Sequence, residues 1–239
     1  MNFPPTRLSV VARTRSTDED TRRLAFAVLI EAYWKPVYKY LRLKWNLDAD
    51  AAADVTQEFF ATTLEKDVLA RFDPARARFR TYLRICVDGF ASNVKKAERR
   101  LKRGGGAHTV PLDFESAEGE IRRHHVLAVP ADVDELFYQE WVRALLQRTV
   151  DELRTWARDA DREVMFAVFE RYDLADSSTD RPTYAALARE LGLTPATVTN
   201  HLAAMRRRFR QQLLEHLRDL TTSDEEFEAE ARRLLGGSS

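Results

Sequence analysis

The chain has 239 residues, with 38 Lys plus Arg balancing 38 Asp plus Glu, so affinity for polyanions must come from local patches, not bulk attraction. Apolar residues make up 44% and charged residues 32%, with only 8 Gly and 8 Pro. This excludes collagen-like, low-complexity and wholly disordered classes and leans toward helix, in one large or two small domains; the apolar periods taken below predict an all-α fold in two helical domains joined by a flexible linker. One cysteine, Cys86, excludes an internal disulfide and a thiolate metal cage, and short charge-bounded apolar runs exclude membrane insertion. No secretory signal is visible, so the expected compartment is cytoplasmic.

Residues 1–19 read as a mobile leader, with capping-box chemistry at Ser16, Thr17 and Glu19. Leu24, Val28, Leu29, Ala32, Tyr33, Val37, Tyr40 and Leu41 recur at three- and four-residue steps. They predict a long helix, kinked at Pro36 and ended at Asn46. Asp48 or Asp50 caps the next helix, whose apolar stripe is Val55, Phe59, Phe60 and Leu64. A third follows a turn at Asp73 and Pro74, with Phe79, Tyr82, Leu83, Cys86, Val87, Phe90, Val94, Ala97 and Leu101 in helical period and a stop at Gly104 to Gly106. Its end, residues 95–103, holds six basic residues against one acid. That patch suits phosphates, with rings such as Phe79 or Tyr82 stacking on bases; it equally suits the negative end of a helix dipole beside core aromatics.

Residues 20–103 thus form a first domain and 104–132, which lose helical period, a linker. A second helical domain spans 133–220, and residues 221–239 form an acidic extension. Within the second domain, Tyr184, Leu187, Ala188 and Leu191 precede Gly192, and Val198, Leu202, Met205 and Phe209 follow Thr194-Pro195, the pattern of a helix-turn-helix. With those apolar positions inward, Ala196, Thr197, Thr199, Asn200 and His201 face out, where short polar groups suit base edges. Arg206, Arg207, Arg208 and Arg210 follow and can meet phosphates. The extension, with Asp224, Glu225, Glu226, Glu228 and Glu230 around Phe227, reads either as a solvated tail or as an acidic helix covering Arg206 to Arg210. The five histidines have no metal-ligand spacing, no phosphate loop or nucleophile elbow occurs, and Cys86 reads as a packed thiol. The expectation is a binding protein with no metal, no cofactor and no catalytic residues.

The order of three signatures is more specific than any one: Ala53-Asp54-Val55-Thr56-Gln57-Glu58-Phe59-Phe60, then Phe79-Arg80-Thr81-Tyr82-Leu83, then a terminal helix-turn-helix. Over roughly residues 24–220 the chain resembles bacterial RNA polymerase sigma factors of the extracytoplasmic-function type, in the sigma-70 superfamily. The resemblance implies a non-enzymatic subunit that binds RNA polymerase core and promoter DNA. Carried over by position, Asp54, Gln57, Glu58 and Phe59 match the polymerase-docking segment. Phe79, Arg80, Tyr82, Asn93, Lys95, Lys96, Arg99 and Arg100 match the part that melts the minus-ten element, and Thr197, Thr199, Asn200, Arg206 and Arg207 match the helix that reads the minus-thirty-five element.

The family commonly carries Asp-Ala-Glu-Asp before the Gln-Glu pair, where this chain has Ala51-Ala52-Ala53-Asp54. The surrounding run is similar to a subgroup associated with Ser/Thr protein kinases. On one reading, phosphorylation of Thr56 restores the missing charge, with a kinase or an anti-sigma protein as regulator; on the other, Thr56 packs at a helix surface and Asp48, Asp50 and Glu58 already supply enough charge. The competing reading is a stand-alone helix-turn-helix regulator, which would bind duplex DNA without polymerase.

Overall fold

The computed structural model describes residues 9–98, 112–124, 133–175 and 181–236. The fold is all-helical, with no strand among the described residues. Two compact units share the chain: residues 1–144 with 217–239, and residues 145–216.

In the first unit, the Ser9 hydroxyl accepts the Ala12 amide and opens a single turn, α1 (Val10–Arg13), whose two valines are buried and which packs on α2 (Glu19–Lys44). The segment read as a leader is therefore folded from Ser9; residues 1–8 lie outside the described residues. Two adjacent valines have no helical period, so the pattern gives no warning of their burial. Asp18, not Ser16, caps α2, accepting the Thr21 amide at 2.9 Å. Asn46, with φ 50°, turns the chain after the helix. From Ala32 to Leu41 every residue except Lys35 is buried, because α1, α3 (Ala49–Glu65), α4 (Phe79–Glu98) and α5 (Phe114–His124) all pack on α2. Leu24, assigned to the apolar stripe, is instead 69% exposed.

Asp48 caps α3 through the Ala51 amide at 2.8 Å. A 3-10 turn at Val68–Arg71 leads toward α4, which buries Phe79, Leu83, Val87 and Ala91. The stop expected at Gly104 to Gly106 lies outside the described residues.

The expected linker, 104–132, contains α5. Ala117 and Ile121 are buried, and the Phe114 ring meets Trp34 and Tyr38 at centroid distances of 5.6 and 5.0 Å. Arg42 donates to Glu118 at 2.5 Å, and this bond holds the carboxyl below its ordinary range despite burial. The domain boundaries at 133 and 221 also shift. Residues 133–144 of α6 (Val133–Asp159) belong with the first unit, as do the end of α9 (Pro195–Leu220) and α10 (Asp224–Leu235).

The second unit is built from the rest of α6 and α9 with α7 (Glu163–Asp173) and α8 (Tyr184–Glu190). One cluster joins Val150, Leu153, Ala157, Phe166, Phe169 and Met205. A second joins Val168, Leu187, Ala188, Val198 and Leu202, so α7 supplies both cores and braces the helix-turn-helix.

Candidate nucleic-acid interface

The turn between α8 and α9 depends on Gly192, whose φ of 65° suits a residue without Cβ. Leu193 N–H then donates to Ala188 C=O at 2.8 Å, and the Thr194 hydroxyl accepts the Thr197 amide at 3.1 Å to start α9, with Pro195 at its first position. Val198, Leu202 and Met205 are buried. Their burial fixes the rotation of α9 and leaves Ala196, Thr199, Asn200, Ala203, Arg207 and Arg210 exposed, a stripe that begins with small or short polar groups and ends in positive charge. Small side chains let a backbone approach base edges, and an amide such as that of Asn200 can pair bidentately with adenine.

Not every residue expected on this face is free to serve it. Thr197 and His201 are half-buried, and the Thr197 and Thr194 hydroxyls bond each other at 2.8 Å. Arg206 is spent inside the unit: its Nε and Nη2 bond both oxygens of Asp173 at 2.8 Å, which raises its pKa. Arg208 lies over the Trp156 ring at 3.7 Å. Among the described residues Arg207 and Arg210 form no ion pair and are the exposed, uncommitted cations of the stripe.

In the first unit the expected docking segment keeps Asp54 and Glu58 exposed, one turn apart and in line with exposed Asp50, with Gln57 half-buried. None of these three acids forms an ion pair among the described residues. Phe59 is a correction: it is buried, edge-on to Phe60 and Phe90 at 5.3 and 5.7 Å.

The expected strand-stacking group is corrected further. Phe79 is fully buried between Tyr33 and Phe72, at 5.7 and 5.3 Å, and cannot stack on a base. Arg80 is also buried. Its guanidinium lies 4.6 Å from the Tyr138 ring and 4.7 Å from that of Trp141, and it donates to Glu230 at 2.9 Å. Tyr82 is half-buried, its hydroxyl donating to Val68 C=O at 2.7 Å, and burial pushes its pKa up to about 12. Asn93, Lys95 and Lys96 are exposed; Arg99 and Arg100 lie outside the described residues. The basic end of α4 therefore keeps accessible cations, one of which, Lys95, lies 6.0 Å from the half-buried Trp45 ring, but the rings expected to stack on bases, Phe79 and Tyr82, are committed to the fold.

Thr56 is 0% exposed, and its hydroxyl donates to Ala52 C=O at 2.7 Å. It shares the inner face of α3 with Ala52, Phe59 and Phe60, so a kinase cannot reach it while α3 is packed. The accessible phosphoacceptor is thus overturned by a residue that follows the apolar period of its helix. Cys86 is half-buried, and burial raises its thiol pKa, which disfavours the nucleophilic thiolate.

Sequence reasoning missed the buried polar contacts. Lys39 donates to Glu120 at 2.6 Å and to Glu140 at 2.7 Å, and Tyr40 donates to Asp88 at 2.9 Å. Arg78 joins Arg80 on Glu230. Two signals were available: Arg80 is spaced three and seven residues from buried Leu83 and Val87, and Glu230 stands three residues after Phe227. A charge on an apolar stripe announces a buried partner.

Among the described residues no group of His, Cys, Asp and Glu could hold a metal ion, and no helix is long and apolar enough to cross a membrane. Comparisons with protein-family models, with curated proteins and with solved structures found no match to this chain.

Proposed function

We propose that the chain is a cytoplasmic promoter-specificity subunit of the sigma-70 kind, without catalytic activity of its own. It binds RNA polymerase core and reads duplex promoter DNA with α9. The observation that carries this reading is the exposed stripe from Ala196 to Arg210, polar at its start and cationic at its end, on a helix whose rotation is set by three buried apolar residues. Thr199 and Asn200 read base edges of the upstream element, and Arg207 and Arg210 hold phosphates. The unpaired acids Asp50, Asp54 and Glu58 on α3 supply a surface for a basic face of polymerase, and Lys95 and Lys96 hold the downstream strand. A kinase acting at Thr56 must first open α3.

A second reading is favoured by one observation: the α9 stripe is exposed, whereas Phe79 and Arg80 are internal. A stand-alone helix-turn-helix regulator needs only the former. Transcription with purified core polymerase over a promoter library separates them. The sigma reading expects initiation that depends on this chain and on Asn200. Tight duplex binding without polymerase, and no initiation with it, supports the regulator instead.

A further inference from the structure

Charge, more than apolar area, holds α10. Among its described residues only Glu230 is buried; Phe227, Ala231 and Leu234 on the same face are half-buried. The Glu230 Oε1 accepts from Arg78 Nη1 at 2.5 Å and from Arg80 Nη2 at 2.9 Å, while its buried Oε2 has no hydrogen-bond partner among the described residues. A carboxylate half-satisfied in this way is a poor permanent core element. The other polar holds lie at the rim: Arg233 donates to Glu135 at 2.6 Å and stacks on Tyr138 at 3.5 Å, and Arg218 pairs with Asp224. Exposed pairs of this kind are screened by salt. The sequence left open that the acids of this extension cover Arg206 to Arg210; the buried one is taken by Arg78 and Arg80.

Carboxylate and phosphate oxygens present the same acceptor geometry to a guanidinium. Arg80 already lies over the adjacent Tyr138 and Trp141 rings, and the Arg78 side chain is 45% exposed beside it. Removing α10 would thus uncover two guanidinium groups that share one acceptor, next to two aromatic rings, the pairing of charge and stacking surface that unpaired nucleic acid uses. We propose that α10 is a releasable latch. Its Glu230 carboxylate stands in a phosphate position, so that α10 and single-stranded nucleic acid compete for Arg78 and Arg80. This rests on the reading of the first unit as the one that meets separated promoter strands.

The test uses the full chain, with Glu230→Gln and the double variant Glu230→Gln/Arg78→Ala beside the unaltered protein. Amide hydrogen exchange across α10 reports release, and anisotropy of a labelled oligothymidylate at low salt reports the uncovered site. Glu230→Gln is expected to speed exchange across α10 and to tighten oligothymidylate binding, each by about tenfold, with the cooperative melt retained; adding Arg78→Ala removes most of the gain in binding. Three results overturn the proposal: unchanged exchange in α10, faster exchange with no gain in binding, or loss of the cooperative melt, which would make Glu230 part of the fold. If release and tighter binding occur but none of the three proteins supports initiation by core polymerase, the latch stands and the promoter reading fails.

Discussion

Two helix starts, Pro195 to Asn200 on α9 and Phe79 to Tyr82 on α4, both look like nucleic-acid contacts in sequence, yet the fold treats them oppositely. The first turns Thr199 and Asn200 outward because Val198 and Leu202 occupy the core. The second turns Phe79 and Arg80 inward, since both share a face with Leu83 and Val87, and α6 and α10 cover that face with Trp141, Tyr138 and Glu230. Residue type suggests a contact, but helical phase decides whether the side chain is available to make it.

Substitutions can break this contrast, and the largest effect is expected at Phe79. Phe79→Ala removes a fully buried ring and should cost about 3 to 5 kcal/mol, read as a large fall in the urea midpoint. An unaltered midpoint with lost DNA binding would reverse the assignment of this ring to the core. Thr56→Glu places a carboxylate in the packed face of α3 and should cost about 3 kcal/mol or more, whereas Thr56→Val, which removes only the bond to Ala52, should cost about 1 kcal/mol or less. Similar urea midpoints for the two variants would show that Thr56 is not held as described.

On α9 the balance is inverted. Asn200→Ala should leave stability within about 0.5 kcal/mol while costing about 1 to 3 kcal/mol of discrimination between matched and mismatched duplex sites. Competition binding at fixed salt measures it, and equal loss on every sequence would place Asn200 on phosphate instead. The two neighbouring arginines sharpen the comparison. Arg207→Ala should reduce the salt slope of duplex binding by about 1 with stability unchanged. Arg206→Ala should do the opposite, costing about 1 kcal/mol of stability because the Arg206 side of the Asp173 pair is about half exposed, with little change in slope.

The smallest effect concerns acid. Arg42 holds the Glu118 carboxyl below its ordinary value. Its stabilising contribution is therefore complete above the unfolded value of about 4.3 and is lost as pH falls through the lower folded value. Glu118→Gln should flatten that acid limb in a series of urea midpoints while leaving the pH dependence above about 6 unaltered.

Much of this architecture was legible before any coordinates. The strong periods of α2, α3 and α4 and the Thr194-Pro195 start of α9 mark helices that form close to where they were expected. Asp48 caps α3 as one of two candidates, and Gly192 ends α8 with positive φ. Thr56 could have been placed as well, since it sits four residues after Ala52 and three before Phe59 on the inner face. The single turn α1 and the helix α5 were not legible, because a four-residue turn has no period and, among the described side chains, α5 buries only Ala117 and Ile121 beside its polar bonds.

Local order along the backbone, meaning which stretches coil, where they start and which side is greasy, was already written in residue spacing and cap chemistry, because helical hydrogen bonds and Cβ directions repeat every few residues. What lay beyond that reading was the use of each charged group. Arg206 and Arg207 are neighbours of one type, yet one is bound to Asp173 and the other faces solvent. Arg80 and Glu230 stand 150 positions apart and meet in the core. Burying a charge is tolerable only beside a partner, and partners that distant become known when the chain has folded around them.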